Sequence, residues 1–135
     1  MKMPVPQLSI IPLYAALLAV LYLSMTYAVI RNRYRLELSL GDGGDLRMNR
    51  LIRGHGNFAE YAPLSLLLLG FAEIAGSGAV MIHLGGGLLL CGRLFHAHAM
   101  MLTEKSLLVR RYGMIMTLAS IVIGIISCLG LSISL

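Results

Sequence analysis

The stretch LSIIPLYAALLAVLYLSMTYAVI, Leu8 to Ile30, decides the fold. It is apolar almost throughout and meets the roughly 20 mainly apolar residues that a helix needs to cross a bilayer. Pro4, Pro6 and Pro12 punctuate its entry, where proline is tolerated near a helix start. Lys2 is a weak basic lead for a cleaved signal. The run is too long for a signal core, however, and Arg31, Arg33 and Arg35 follow it directly. The stretch therefore reads as a retained first membrane span.

Three more apolar runs follow. The second extends from about Met48 to Gly76. Its first third is polar, its remainder PLSLLLLGFAEIAG is apolar, and Pro63 should kink it. A short turn at Gly76, Ser77 and Gly78 leads to a third run, about Ala79 to Met101, whose GGG at Gly85 to Gly87 suits close helix packing in lipid. The stretch TEKSLLVRR leads to a fourth run from about Tyr112 to the C-terminus, with Gly113, Ala119 and Gly124 as a possible packing face. The whole chain of 135 residues is 58% hydrophobic and 13% charged, with a mean hydropathy of +0.82. A soluble domain has about a quarter of its residues charged. Lipid must therefore solvate much of this surface. The expectation is an all-α integral membrane four-helix bundle, one domain over residues 1–135.

Charge placement orients it. Every Lys and Arg except Lys2 lies in or beside the first and third connections: Arg31, Arg33, Arg35, Arg47, Arg50, Arg53, Arg93, Lys105, Arg110 and Arg111. The positive-inside rule puts both connections in the cytoplasm and both termini outside. The net charge of +5 thus serves topology, and no nucleic-acid partner is expected. Cys91 and Cys128 sit within apolar runs and read as small core residues, not a disulfide pair.

Chemistry concentrates in NRLIRGHGNFAEYAP, Asn49 to Pro63. On a helix at 100° per residue, Arg50, Arg53, Asn57, Glu60 and Tyr61 fall within an arc of about 100°, with His55 roughly opposite. The bland reading of Arg50 and Arg53 is a pair of snorkelling arginines at a helix end. Glu60 lies about 15 Å deeper than Arg50. A carboxylate there needs a polar cavity or a partner, such as an arginine on a neighbouring helix. The third run closes with GRLFHAHAM, which puts Arg93, His96 and Met100 on one face and His98 on another. Residues at i and i+2 do not face each other, so joint metal ligation by the two histidines is not expected. Glu73 and His83 lie towards the opposite membrane face, where headgroup and interface contacts are expected.

Arg53-x-His55-x-Asn57-x-x-Glu60-Tyr61-x-Pro63 resembles the second-helix signature of the MAPEG family, the membrane-associated proteins of eicosanoid and glutathione metabolism. GDGGD at Gly41 to Asp45, GRLFHA at Gly92 to Ala97 and R-x-x-G at Arg110 to Gly113 resemble its bacterial branch. The resemblance implies a homotrimer of four-span subunits in a bacterial inner membrane, with glutathione held between subunits near the cytoplasmic face. By matching position it implies that Arg53, Asn57, Glu60 and Tyr61 contact glutathione, with His55 at a position taken by His or Gln in other members. Arg31 or Arg33 would be the family's first-helix arginine. Arg110 would activate the glutathione thiol, with Arg111 its competitor if the register shifts by one. Arg50, Arg93 and His96 complete the candidate binding set. The leukotriene-forming branch carries tyrosines where this chain has His96 and Met100.

The residues suit that ligand. Arginine forks bind carboxylates bidentately. Glu60 can pair with the ammonium and Asn57 with backbone amides. A thiol with an ordinary pKa near 8.5 ionises more readily beside a cation. The expected function is a glutathione-dependent transferase or peroxidase for lipophilic electrophiles arriving from the lipid. The alternatives are a non-catalytic lipid- or glutathione-binding protein on the same scaffold, and a small transporter coupled through Glu60.

Overall fold

The computed structural model describes residues 8–103 and 106–133. The expectations for Lys2, Pro4, Pro6 and Lys105 fall outside them. Four helices account for nearly all of this: α1 (Ile11–Arg35), α2 (Leu46–Ile74), α3 (Ala79–Met101) and α4 (Leu107–Ile133). At 1.5 Å per residue they are about 35 to 44 Å long, enough to cross a hydrocarbon core of about 30 Å. The protein is an all-α membrane bundle, as its apolar runs predict. Helices α1, α3 and α4 are each long and apolar enough to span. The polar stretch of α2 keeps it below that mark, yet α2 packs on all three of the others.

Two boundaries differ from the sequence reading. Helix α1 continues past Ile30 to Arg35, and α4 begins at Leu107, not Tyr112. In both places hydrophobicity ends at the membrane edge while the backbone keeps its helical hydrogen bonds into water. The arginines therefore stand on helix ends rather than in loops. Helix α2 runs unbroken through Pro63. Helices α2 and α3 form the middle of the bundle, each touching α1 and α4, while α1 and α4 share no contact among the described residues.

The connection from α1 to α2 is built by its own residues. Gly41, Gly43 and Gly44 adopt φ of 68°, 59° and 78°, which a side chain would disfavour. Asp42 Oδ1 accepts from the Gly44 N–H at 3.0 Å, and its other oxygen accepts from the Asn49 amide. Asp45 caps α2, accepting from the Met48 N–H at 2.6 Å. Arg33 donates to the Ser39 and Gly41 carbonyls at 3.4 and 3.2 Å, pinning the turn.

At the opposite end Glu73 does something the sequence reading misses. Its Oε1 accepts from the N–H groups of Ser9 and Ile10 and from the Ser9 hydroxyl, and its Oε2 accepts from the Ile11 N–H. It caps α1 from a neighbouring helix rather than meeting headgroups, matching a carboxylate to orphan donors and a positive helix end. His83 pairs with the Tyr14 hydroxyl at 3.0 Å. Mid-bundle, the Ser120 hydroxyl donates to the Gly85 carbonyl at 2.8 Å and contacts the Ser65 hydroxyl at 2.7 Å. The outward faces carry Val20, Leu23, Ile115 and Ile126, all more than half exposed. So much bare apolar surface requires lipid or a second protein against it.

Candidate functional site

Helices α3 and α4 approach closely at Gly92 and Gly113. A Cβ built on either glycine would lie 2.8 Å from the other's carbonyl oxygen. This lack of side chains lets α4 press against the last turns of α3, and the polar residues beside the contact become buried together. Arg93 is only 1% exposed and His96 3%.

Arg93 gathers partners from two helices. Its Nη1 donates to Asn57 Oδ1 of α2 at 2.8 Å. Its Nε donates to Thr117 Oγ1 of α4 at 3.0 Å and its Nη2 to Met114 Sδ at 3.4 Å. The Thr117 proton is committed to the Gly113 carbonyl at 2.9 Å, which turns the hydroxyl's lone pairs towards Arg93. These three acceptors are neutral. Among the described residues they take three of the five guanidinium N–H groups and supply no counter-charge. Tyr61 lies within electrostatic reach of Arg93, and both Arg93 and Arg110 lie within reach of His96. The cluster Asn57, Tyr61, Arg93, His96 and Arg110 thus joins α2, α3 and α4.

The other candidates sit around this cluster or away from it. Arg50, half-buried, and Arg53 and Glu60, exposed, continue the Asn57 face of α2. Arg110 stands seven residues before Thr117 and four before Met114, on the helix face that meets Arg93. Arg111 is on the face of Ile115 and Leu118, which are exposed at 59% and 46%. His55 lies apart from the cluster. It stacks on Tyr22 with ring centroids 4.5 Å apart and shares a hydrogen bond with Thr26 at 2.9 Å. Arg33 is engaged by the α1–α2 connection, and Arg31 lines a separate cavity with Arg35 and Arg47. His96 is buried and His98 exposed, as their spacing on α3 requires.

Sequence reasoning missed Met114 and Thr117. The signal was their spacing from Arg110, at i+4 and i+7, but neither residue type announces a site. It also missed Tyr22 and Thr26, which fix the His55 ring.

The four-helix bundle with a buried polar cluster near the basic helix ends defines an all-α membrane scaffold. The MAPEG family model matches residues 11–130, and the chain belongs to the MAPEG family. It is 40% identical over 84 residues to the inner membrane protein YecN of Escherichia coli K12, and equally to YecN of Escherichia coli O6:H1. Each match covers 62% of this chain and 64% of the relative, so the alignment spans a little under two thirds of those proteins. No solved structure matches.

Proposed function

We propose that this protein is a glutathione-dependent transferase or peroxidase acting on lipophilic electrophiles at the cytoplasmic face of a bacterial inner membrane. The observation that carries the reading is Arg93, a buried guanidinium whose three acceptors are all neutral. Removing a cation from water is costly, and neutral dipoles offset only part of that cost. The site is electrostatically complementary to an anion. Glutathione, with two carboxylates and an ionisable thiol, meets that demand, and family membership supports the choice.

In this reading Arg53 and Arg50 bind a glutathione carboxylate along the exposed face of α2. Glu60 pairs with the ammonium. Arg93, oriented by Asn57 and Thr117, draws the anionic ligand inward. Arg110 sits beside the thiol and favours its thiolate, the proton passing to water. The sulfur then bonds to an electrophilic carbon delivered from the lipid, and the leaving group or the added electron pair takes up a proton. The exposure of Arg53 and Glu60 fits a site that a second subunit completes, as in a trimer. The basic ends of α1, α2, α3 and α4 lie in the cytoplasm, with both termini outside.

Calorimetric titration of the detergent-purified protein with glutathione tests this. Arg53→Ala is expected to weaken binding by about 2 kcal/mol, the scale of a charged hydrogen bond. Equal affinity in the folded variant removes Arg53 from the site.

A further inference from the structure

Met114 holds a nucleophilic sulfur against a buried cation. Its thioether, half-buried on α4, accepts from Arg93 Nη2 at 3.4 Å. A thioether is a weak acceptor with two lone pairs, so one pair remains for an electrophile. Arg110 stands one turn before Met114 on the same face of α4. The reaction proposed above leaves this sulfur unused. The other described methionines have a different setting. Met25, Met48 and Met100 are buried, at 2%, 0% and 6% exposure. Met81 is 50% exposed, but it lies at the start of α3, at the end of the bundle away from the arginines. Met101 and Met116 are half-buried, and the Arg93 donor goes to Met114.

A thioether attacks the outer oxygen of a hydroperoxide. The sulfur–oxygen bond forms as the oxygen–oxygen bond breaks. Sulfur gives up two electrons and the peroxide is reduced. The hydroperoxide's own proton ends on the departing alkoxide, which leaves as an alcohol. Guanidinium groups beside the sulfur oppose the negative charge that develops on that alkoxide, and such fixed charges are worth most away from water. The product, methionine sulfoxide, is polar. Its oxygen carries partial negative charge and is a better acceptor for Arg93 Nη2 than the thioether it replaces.

We propose that Met114 is a redox-modification site, where lipid hydroperoxides form a sulfoxide that takes the Arg93 donor and weakens the site's hold on its anionic ligand. The loss of ligand affinity rests on the glutathione reading, whereas the modification and its bond to Arg93 do not. Sulfoxide formation is reversed by dedicated reductases, so the device lowers the site's affinity while hydroperoxides are abundant and restores it afterwards.

The test exposes the detergent-purified protein to cumene hydroperoxide without glutathione and follows the sulfoxide at each methionine by peptide mass spectrometry. Met114 is expected to oxidise at least about tenfold faster than Met81, a modest share of what a donor aimed at developing charge supplies. Arg93→Gln should bring Met114 down towards the Met81 rate. At the dose that converts Met114 alone, the unfolding temperature of the wild type should rise, and that of Met114→Leu under the same dose should not change. Glutathione titration of the oxidised wild type should show affinity about tenfold below that of the untreated protein, the scale of a charged hydrogen bond. Oxidation of Met114 no faster than Met81, an unchanged Met114 rate in folded Arg93→Gln, or a lowered unfolding temperature after oxidation would each overturn the proposal. The wild-type rates and unfolding temperature decide it even if Arg93→Gln does not fold. Untreated protein that binds no glutathione would fail the ligand reading alone, because the oxidation rates and unfolding temperatures are read without glutathione.

Discussion

The Arg93 guanidinium and the Asn57 amide oxygen meet at 2.8 Å, tying α3 to α2 within the membrane. Asn57 orients the cation without neutralising it, so its replacement separates structure from ligand demand. Asn57→Leu should lower stability by about 1–3 kcal/mol, the cost of leaving a buried donor unmatched. Asn57→Asp should do the reverse, raising the unfolding temperature by placing a carboxylate against the guanidinium. It should also weaken glutathione binding by tenfold or more, because the anion's place is taken. Thermal unfolding in detergent and glutathione titration read the two effects. A stabilised Asn57→Asp variant with normal glutathione affinity would separate Arg93 from the ligand.

Gly113→Ala puts a methyl group 2.8 Å from both the Gly92 carbonyl oxygen and the His96 backbone nitrogen. Backbone cannot swing aside as a side chain does, so α3 and α4 must part. A loss of about 1–3 kcal/mol is expected, the usual cost of overpacking. Gly87→Ala meets nothing within 4 Å and should be neutral or gain up to about 1 kcal/mol from helix propensity. Chemical or thermal unfolding in one detergent compares them. Equal stability of the two variants would show that the α3–α4 approach is looser than the geometry implies.

The Asp42 carboxyl is held below its ordinary value, first by the Asn49 amide and then by the Gly44 N–H, both of which favour its charged form. A group whose folded value is lowered contributes stability above its unfolded value, and loses it as pH falls through the folded value. The α1–α2 turn should therefore hold at neutral pH and loosen only in acid, below the usual carboxylate range. The Gly44 amide shift, followed by nuclear magnetic resonance in micelles, should titrate at that low pH. Asp42→Asn should abolish the titration, and a Gly44 shift titrating at the ordinary carboxylate value would refute the assignment.

Much of this was legible in the sequence because the bilayer imposes a strong pattern. Four apolar runs, the short connections and the gathering of arginines at one end follow from hydropathy and charge alone. The α2 stripe was readable because Arg53, Asn57 and Glu60 are costly in lipid and their spacing is fixed by the helix. Contacts across helices were not readable. Glu73 looked like a surface carboxylate, yet it caps α1, because nothing in its own segment records which helix start lies beside it. Thr117 and Met114 are ordinary residues made significant by Gly92 and Gly113, whose approach brings them to Arg93. Arg110 and Arg111 could not be ranked until the face shared with Met114 and Thr117 was fixed in space.

The most direct test is a glutathione titration of the purified protein, followed at the ultraviolet thiolate band near neutral pH. A saturable band is expected in the wild type and in Arg111→Ala, and its loss in Arg110→Ala with most binding retained. Glutathione that binds without any thiolate band would contradict thiol activation and leave a binding protein. No saturable interaction in folded wild-type protein would contradict the glutathione site itself.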